Sequence, residues 1–320
     1  MRSVWMAVAV VVGVVVGGLM AGCGSGGNGA GTQANAGGKV VVVSTIFPYF
    51  DAVRAIGGDK VDARILVPPM ASPHEYEPSM QNKLDVSNAK LVVKNGLGLD
   101  DQFDKLYAGT GAKVLDISKA LPAGTVLDLK EVSLGDTAAE KAQENAEANV
   151  QNPHIWLDPH VQMAAAEQIK ESLEQIDPAD KATFETNAAK YQDSLKQLDD
   201  DYKAAVPTFK TKEFIGFHSA YEYLARRYGL KQVASIEEVP EAGLNLAQAQ
   251  KIINLIKADH IKYVALEPGL NPRSVDLITR ETGVGTIVLQ PIEEYNSIND
   301  TYVGLMRENL EALKKVLGGS

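Results

Sequence analysis

The sequence predicts an α/β protein of two lobes, each built on a mostly parallel sheet, with one long helix joining them. Short runs rich in Val and Ile alternate with helical patterns through residues 39–320, and this alternation is typical of parallel sheets. The length of 320 residues is enough for about two domains with their own cores. We therefore expect an N-terminal lobe at 39–177, a linking helix at 178–206 and a C-terminal lobe at 207–320.

The composition narrows the class of protein. With 45% hydrophobic and 22% charged residues, the chain has the make-up of a globular protein. The net charge of −10 argues against a nucleic-acid binder that works by neutralising phosphates. The single cysteine, Cys23, rules out an internal disulfide framework and any cysteine-based zinc finger.

The first 38 residues are predicted to be a targeting and anchoring segment outside the fold. Residues 1–22 join a basic start to an apolar run of signal-peptide size. Their end, Leu-Met-Ala-Gly-Cys, resembles the bacterial lipobox with Met20 in place of the usual Leu, which implies a diacylated Cys23. The glycine-rich stretch 23–38 predicts a flexible tether. We expect a protein lipid-anchored to the cell membrane on its extracytoplasmic side; the alternative is an ordinary secretory signal.

Four apolar runs in the N-terminal lobe are predicted to be strands buried on both faces. They lie at 39–44, 61–67, 90–95 and 112–117. Helices are expected at 46–57, which ends at a glycine, and at 159–175. The acidic, alanine-rich stretch 132–151 has no strand signal and is predicted to be a surface insertion.

The linking helix is predicted from helical spacing of large apolar residues between Pro178, at its first position, and Pro207. After it, strands alternate with helices again. The strands are expected at 213–217, 231–235, 261–266 and 285–289, and the helices at 220–228, 247–258, 273–282 and 301–317.

Three histidines and one glutamate are predicted to converge on the cleft between the lobes. His74 follows the strand 61–67, His218 follows 213–217, and Glu293 lies just past 285–289. His154 immediately precedes a helix. Since ligands bind beyond the carboxyl ends of strands in open parallel sheets, these side chains indicate a metal site. Neutral imidazoles with one carboxylate suit Zn²⁺, with Mn²⁺ and Fe²⁺ as alternatives.

The other two histidines are expected outside this site. His260 precedes the strand 261–266 and so lies at the amino end of its sheet, where we expect a surface residue. His160 lies in the first turn of a helix, where we expect it to orient a ligand or to face solvent.

Three motifs carry a resemblance to a known family. They are Pro-His-Glu-Tyr-Glu-Pro-Ser at 73–79, Pro-His-Ile-Trp-Leu-Asp-Pro at 153–159, and Phe-His-Ser-Ala-Tyr-Glu-Tyr-Leu-Ala-Arg-Arg-Tyr-Gly-Leu at 217–230. From residue 39 onwards the chain resembles the zinc/manganese solute-binding lipoproteins of ABC transporters, the cluster A-I or cluster 9 group. The resemblance implies two lobes bridged by a rigid helix, a metal held between them, and His74, His154 and His218 as its ligands.

The fourth ligand is less uniform within that family. Many members have Asp before the proline that follows the last strand, but here that residue is Gln290. The sequence Pro-Ile-Glu at 291–293 is similar to the Pro-Leu-Glu of Gram-positive zinc-uptake members, which implies Glu293 as the ligand. Glu294 is the next candidate, ahead of a water or the Gln290 amide. The resemblance also implies that Glu267 lines the cleft and orients an imidazole.

The predicted function is extracytoplasmic, high-affinity capture of a divalent transition metal, with zinc preferred, and its delivery to an ABC permease with a cytoplasmic ATPase. We expect a monomer that is not an enzyme and binds no nucleic acid. Uptake of manganese or iron is one alternative, favoured by the lack of histidine in the acidic stretch 132–151. A surface adhesin or organic-solute binder is another. A zinc hydrolase fits less well, because four protein ligands would leave no open metal position.

Overall fold

The computed structural model describes residues 38–128, 151–236, 246–268, 273–293 and 295–319, which fall in one compact unit from Gly38 to Ser320. The predicted signal peptide, Cys23, the tether and Glu294 lie outside the described residues, as does nearly all of the predicted insertion 132–151. Among the helices of the described ranges, none has the length and apolar character needed to span a membrane.

The N-terminal half contains a four-stranded sheet in which every pairing is parallel. Its strands, in the order β2-β1-β3-β4, are β1 Val40–Ser44, β2 Val61–Ile65, β3 Leu91–Lys94 and β4 Lys113–Asp116. Its helices are α1 Phe47–Gly57, α2 Met80–Ser87, α3 Asp104–Tyr107 and α4 Pro159–Ile176.

Local sequence explains where the first helices begin and end. In α1, a proline lies in the first turn, and Gly58 at φ 55° ends the helix by donating its N–H to Arg54 O. In α4, Pro159 occupies the first position, and the Asp158 carboxylate accepts the backbone N–H of His160 as the helix cap. This cap fixes the chain immediately after the motif that contains His154.

The long helix, α5, runs from Lys181 to Ala205 and packs against α1 and α4. One face is fully buried at Phe184, Leu195, Leu198 and Tyr202. The predicted start at Pro178 coincides with a 3-10 turn at residues 178–180 that leads directly into α5.

The C-terminal half repeats the α/β pattern with a second four-stranded parallel sheet. Its strands, in the order β6-β5-β7-β8, are β5 Glu213–Gly216, β6 Lys231–Ser235, β7 Tyr263–Leu266 and β8 Gly285–Val288. Its helices are α6 Glu222–Tyr228, α7 Leu246–Asp259, α8 Arg273–Thr282 and α9 Tyr302–Leu317.

The predicted architecture of two parallel sheets with a long helix is confirmed. Several predicted strands are one or two residues too long, since the apolar run continues after the strand has ended. Leu66 and Val67, for example, remain buried and still donate backbone hydrogen bonds to Ser44 O and Thr45 O beyond the end of β2. The division into lobes at 177 and 207 stays a prediction.

Candidate metal centre

The structure brings together the four residues predicted to hold the metal. His74 lies in the loop after β2, His218 just after β5, and Glu293 in the loop after β8. His154 directly precedes a 3-10 turn that leads into α4. One potential ligand atom from each of the four lies within 4.8 Å of the others. Three of these positions follow the carboxyl ends of strands in both sheets, as the topology requires.

The distances within the cluster suit a small metal ion. The Nε2 atom of His154 lies 3.1 Å from that of His218 and 3.3 Å from that of His74. Glu293 Oε2 lies 3.2 Å from His74 Nε2 and 3.5 Å from His154 Nε2, and Glu293 Oε1 lies 3.5 Å from His218 Nε2. Neighbouring ligands of a tetrahedral zinc ion are about 3.3 Å apart when each metal–nitrogen bond is about 2.0–2.1 Å.

Hydrogen bonds on the far side of two rings determine which nitrogen carries the proton. His218 Nδ1 donates to Glu267 Oε1 at 2.6 Å. His154 Nδ1 donates to Asn152 Oδ1 at 2.8 Å. Each neutral ring therefore presents the lone pair of Nε2 to the centre of the cluster. Two nitrogen lone pairs 3.1 Å apart repel each other, and a cation between them would turn this repulsion into attraction.

Burial keeps the site ready for a metal at neutral pH. His154, His218 and Glu293 are 2%, 0% and 2% exposed, and His74 is partly buried. Burial lowers the pKa of His154 to about 4, so this ring is neutral at pH 7. Burial by itself would raise the pKa of the Glu293 carboxyl, but the neighbouring imidazoles outweigh it and hold that pKa well below the usual range. The site thus offers a neutral nitrogen donor at His154 and a charged oxygen donor at Glu293.

The loop that carries Glu293 is held immediately before an unusual backbone conformation at Ile292. Ile292 has φ 62°, in the left-handed region that β-branched residues avoid, and it is completely buried. Before it, Trp156 Nε1 donates to Pro291 O at 2.8 Å. Asn309, from α9, accepts the Gln290 N–H at 2.6 Å and donates to Gln290 O at 2.8 Å.

The structure places each of the other predicted residues either against the metal ligands or apart from them. Glu267 is buried against His218 and lies in hydrogen-bonding contact with it, where the resemblance implied an orienting carboxylate. Gln290 is tied through its backbone to α9, and Glu294 lies outside the described residues. His160 Nε2 lies 3.1 Å from Asp199 Oδ2, outside the four-residue cluster, and His260 is an exposed residue before β7.

Sequence reasoning missed two residues that support the site. Asn152 was not singled out, although it lies only two residues before His154 and binds its ring. Trp156 is completely buried, and it also donates a hydrogen bond to the Glu293 loop. An amide two residues before a proposed histidine ligand was the available signal for Asn152. The contact of Trp156 joins residues 135 positions apart and had no local signal.

Comparisons with known proteins identify the family of this chain. The model of the family described as zinc-uptake complex component A, periplasmic (ZnuA) matches residues 42–316. The zinc-binding lipoprotein AdcA of Streptococcus pneumoniae (strain ATCC BAA-255 / R6) is 31% identical over 287 residues. That match covers 88% of this chain and 57% of the relative, so the chain spans little more than half of the length of AdcA.

Two solved structures share the fold over most of the chain. The Zn(II)-bound ZnuA-like domain of Streptococcus pneumoniae AdcA has a TM-score of 0.71 and 29% identity, and the match covers 88% of this chain and 100% of that domain. The solute-binding protein FpvC from Pseudomonas aeruginosa, in complex with Mn²⁺, has a TM-score of 0.74 and 26% identity, covering 88% of this chain and 99% of FpvC. The chain belongs to the ZnuA family of periplasmic zinc-uptake components.

Proposed function

We propose that the protein captures a divalent transition metal outside the cytoplasm, with zinc preferred, and delivers it to an ABC permease for uptake. The metal is the transported substrate. His74, His154 and His218 would each bind it through Nε2, and Glu293 would bind it through its carboxylate. The observation that carries the proposal is the convergence of these donors, two of them fixed with their lone pairs inward.

The charges around the cluster support a dication. A doubly charged ion is costly to bury unless negative charge compensates it. Glu293 lies in the cluster, and Glu267 lies behind His218 at 2.6 Å. These two carboxylates together balance the two positive charges of the metal. Glu267 would also increase the electron-donating power of the His218 ring and fix its orientation.

The donor set favours transport over catalysis. A catalytic zinc usually has three protein ligands and an open position for water or substrate. Four protein donors would complete a tetrahedral sphere, and three of the four side chains are at most 2% exposed. We infer that the protein is not a metal-dependent hydrolase and that the bound ion is carried rather than used.

Zinc is preferred over manganese because of the ligands. Three neutral imidazoles and one carboxylate suit zinc, whereas Mn²⁺ favours more oxygen donors. The names of AdcA and of the matching family point to zinc as well. Manganese is the second candidate, since FpvC, which has the same fold, was solved with Mn²⁺.

The N-terminal motif and the family support a proposal for anchoring and delivery. Lipidated Cys23 would keep the protein at the extracytoplasmic surface of the membrane, within reach of a permease and its ATPase. Changing Cys23 to serine should release the protein from the membrane fraction. Unchanged retention of Cys23→Ser in washed membranes would contradict the lipid anchor, while zinc binding by the released protein would be unaffected.

Competitive loading tests the proposed substrate. Metal-free protein is incubated with equal concentrations of Zn²⁺ and Mn²⁺, desalted, and analysed for bound metal. We expect one zinc per chain, and at least tenfold weaker zinc binding after His74→Ala, His154→Ala or His218→Ala, because loss of even an indirect partner of a ligand costs about 10–100-fold. The exposed His260→Ala is the matched control and should bind as the wild type does. Predominant manganese would overturn the zinc assignment.

A further inference from the structure

We propose that Asn152 is a positioning residue of the metal centre, which fixes the tautomer of His154 and ties it to the segment that carries His218. The inference rests on the proposed function and adds a residue that would not contact the metal. Asn152 is completely buried, and both ends of its side-chain amide are engaged.

The oxygen end of the amide holds His154. Asn152 Oδ1 accepts from His154 Nδ1 at 2.8 Å and from the backbone N–H of His154 at 3.0 Å. The side chain thus contacts both the ring and the main chain of one residue. This double contact fixes the ring plane as well as its protonated nitrogen, so Nε2 carries the lone pair.

The nitrogen end of the amide reaches the other half of the protein. Asn152 Nδ2 donates to Ser219 O at 2.8 Å and lies 3.4 Å from Glu222 Oε2. Ser219 is the residue immediately after His218. Because Nδ2 faces these two oxygens, Oδ1 must be the atom that faces His154, and the orientation of the amide is determined.

The backbone of Asn152 is held by α6, the helix that begins with Glu222. Tyr223, in α6, donates its hydroxyl proton to Asn152 O at 2.7 Å. The Tyr223 hydroxyl in turn accepts the backbone N–H of Leu127 at 2.9 Å. These bonds fix the position from which the Asn152 amide reaches His154 and Ser219. They place the His154 and His218 segments in register, with their Nε2 atoms 3.1 Å apart.

An amide meets this requirement where other side chains do not. Aspartate could accept the His154 Nδ1–H, but it could not donate to Ser219 O and would bring a second carboxylate close to Glu222. Alanine would lose both bonds and leave the Ser219 carbonyl without this donor. Asn152→Asp keeps the acceptor that fixes the His154 tautomer but loses the bond to Ser219, whereas Asn152→Ala loses both. Comparing the two variants therefore separates the effect on the tautomer from the effect on the connection between the segments.

The experiment combines zinc affinity with the tautomer of His154. Zn²⁺ affinity is measured by competition with a chelator for the wild type, Asn152→Ala, Asn152→Asp and the control Asn187→Ala. The control removes an amide of α5 that donates to Ile56 O and does not contact the metal centre. The tautomer is read from the ¹⁵N shifts of His154 in metal-free, ¹⁵N-labelled protein. This second readout does not depend on zinc binding.

We expect the wild type to hold His154 with the proton on Nδ1. Asn152→Ala should bind zinc about 10–100-fold more weakly and should show a mixture of tautomers. Asn152→Asp should keep the Nδ1–H tautomer and bind zinc with an affinity between those of the wild type and Asn152→Ala. Asn187→Ala should match the wild type in both measurements.

Two results would overturn the inference. One is an Nε2–H tautomer in the wild type, which needs no variant to fold. The other is a pure Nδ1–H tautomer with unchanged zinc affinity in Asn152→Ala. A wild type that binds no zinc but shows the Nδ1–H tautomer, lost in Asn152→Ala, would refute the proposed function while supporting the role of Asn152.

Discussion

Replacing Glu293 by glutamine should remove most of the stabilisation that zinc gives the protein. Glu293 is the one carboxylate among the four clustered side chains, and it is almost completely buried. Both of its oxygens face imidazole nitrogens at 3.2–3.5 Å. Glutamine preserves the size of the side chain but replaces a charged oxygen donor by a neutral amide, so the change tests the ligand rather than the packing.

The expected magnitude follows from mass action. An ion that binds only the folded state stabilises it by about 4 kcal/mol at a thousandfold excess over its dissociation constant. For a folded unit of this size, about 1 kcal/mol corresponds to roughly 2 °C, so zinc should raise the melting temperature by about 8 °C. If Glu293→Gln weakens binding about a hundredfold, the same zinc concentration gives only about 1.4 kcal/mol, or about 3 °C.

The assay is thermal unfolding with and without zinc, each variant being compared with its own metal-free form. This difference cancels any effect of the substitution on the metal-free protein. Glu294→Gln makes the same chemical change at the next residue and should keep the full zinc shift. Gln290→Ala should keep most of it, because the backbone of Gln290 is held by Asn309 whatever its side chain.

Two outcomes would refute this reasoning. Glu293→Gln could show the same zinc shift as the wild type, in which case the carboxylate is no ligand. Alternatively, Gln290→Ala or Glu294→Gln could lose as much of the shift as Glu293→Gln. The fourth ligand would then be one of those residues, or they would position the loop in a way that the contacts of Glu293 do not reveal.

Three further changes probe the support of the site. Trp156→Phe keeps an aromatic ring but removes the donor to Pro291 O, and should cost about 1–3 kcal/mol in urea unfolding and weaken zinc binding several-fold. The free energy of unfolding of the metal-free protein should fall by about 3 kcal/mol between pH 6.5 and 4. The pKa of His154 is about 4 in the folded protein and about 6.5 in the unfolded chain. As the pH falls, the unfolded chain is therefore protonated at this residue first and becomes more favourable. Urea unfolding at pH 6.5 and 4 measures this loss, and a pH dependence of stability in His154→Gln as steep as in the wild type would contradict it. Leu195→Ala, in the core face of α5, should cost about 2–5 kcal/mol and leave zinc affinity unchanged when measured on the folded protein.

The positions of the histidines could be predicted from the sequence because strand order and direction limit where a side chain can lie. His74 and His218 follow apolar runs, and the carboxyl ends of parallel strands face the binding cleft. His260 precedes its strand, and it is exposed and apart from the cluster. The same pattern does not distinguish a strand from the extended residues after it, which is why the predicted strand 61–67 was longer than β2.

The contacts that fix the ligands could not be predicted in the same way. Trp156 binds Pro291, Asn152 binds Ser219, and each pair joins segments far apart in the sequence. Such pairs depend on how the two sheets pack, and no local propensity encodes that packing. The 3-10 turn at 178–180, which leads into α5, is a similar case, since Pro178 permits either an α-helical or a 3-10 first turn.

The conformation of Ile292 belongs to the turn that brings Glu293 back to the cluster. Glu293 lies three residues after Gln290, beyond the two points at Gln290 and Pro291 where hydrogen bonds hold the backbone. The backbone must then turn sharply to return Glu293 to the cluster, and Ile292 makes this turn with φ 62°. A residue in such a conformation costs about 1–3 kcal/mol. Complete burial of an isoleucine side chain contributes a similar amount in the opposite sense, about 1.5–3 kcal/mol. Burial of the Ile292 side chain can therefore offset the cost of its backbone conformation. The turn that directs Glu293 to the site thus needs no glycine, whose greater backbone freedom in the unfolded chain would lower stability.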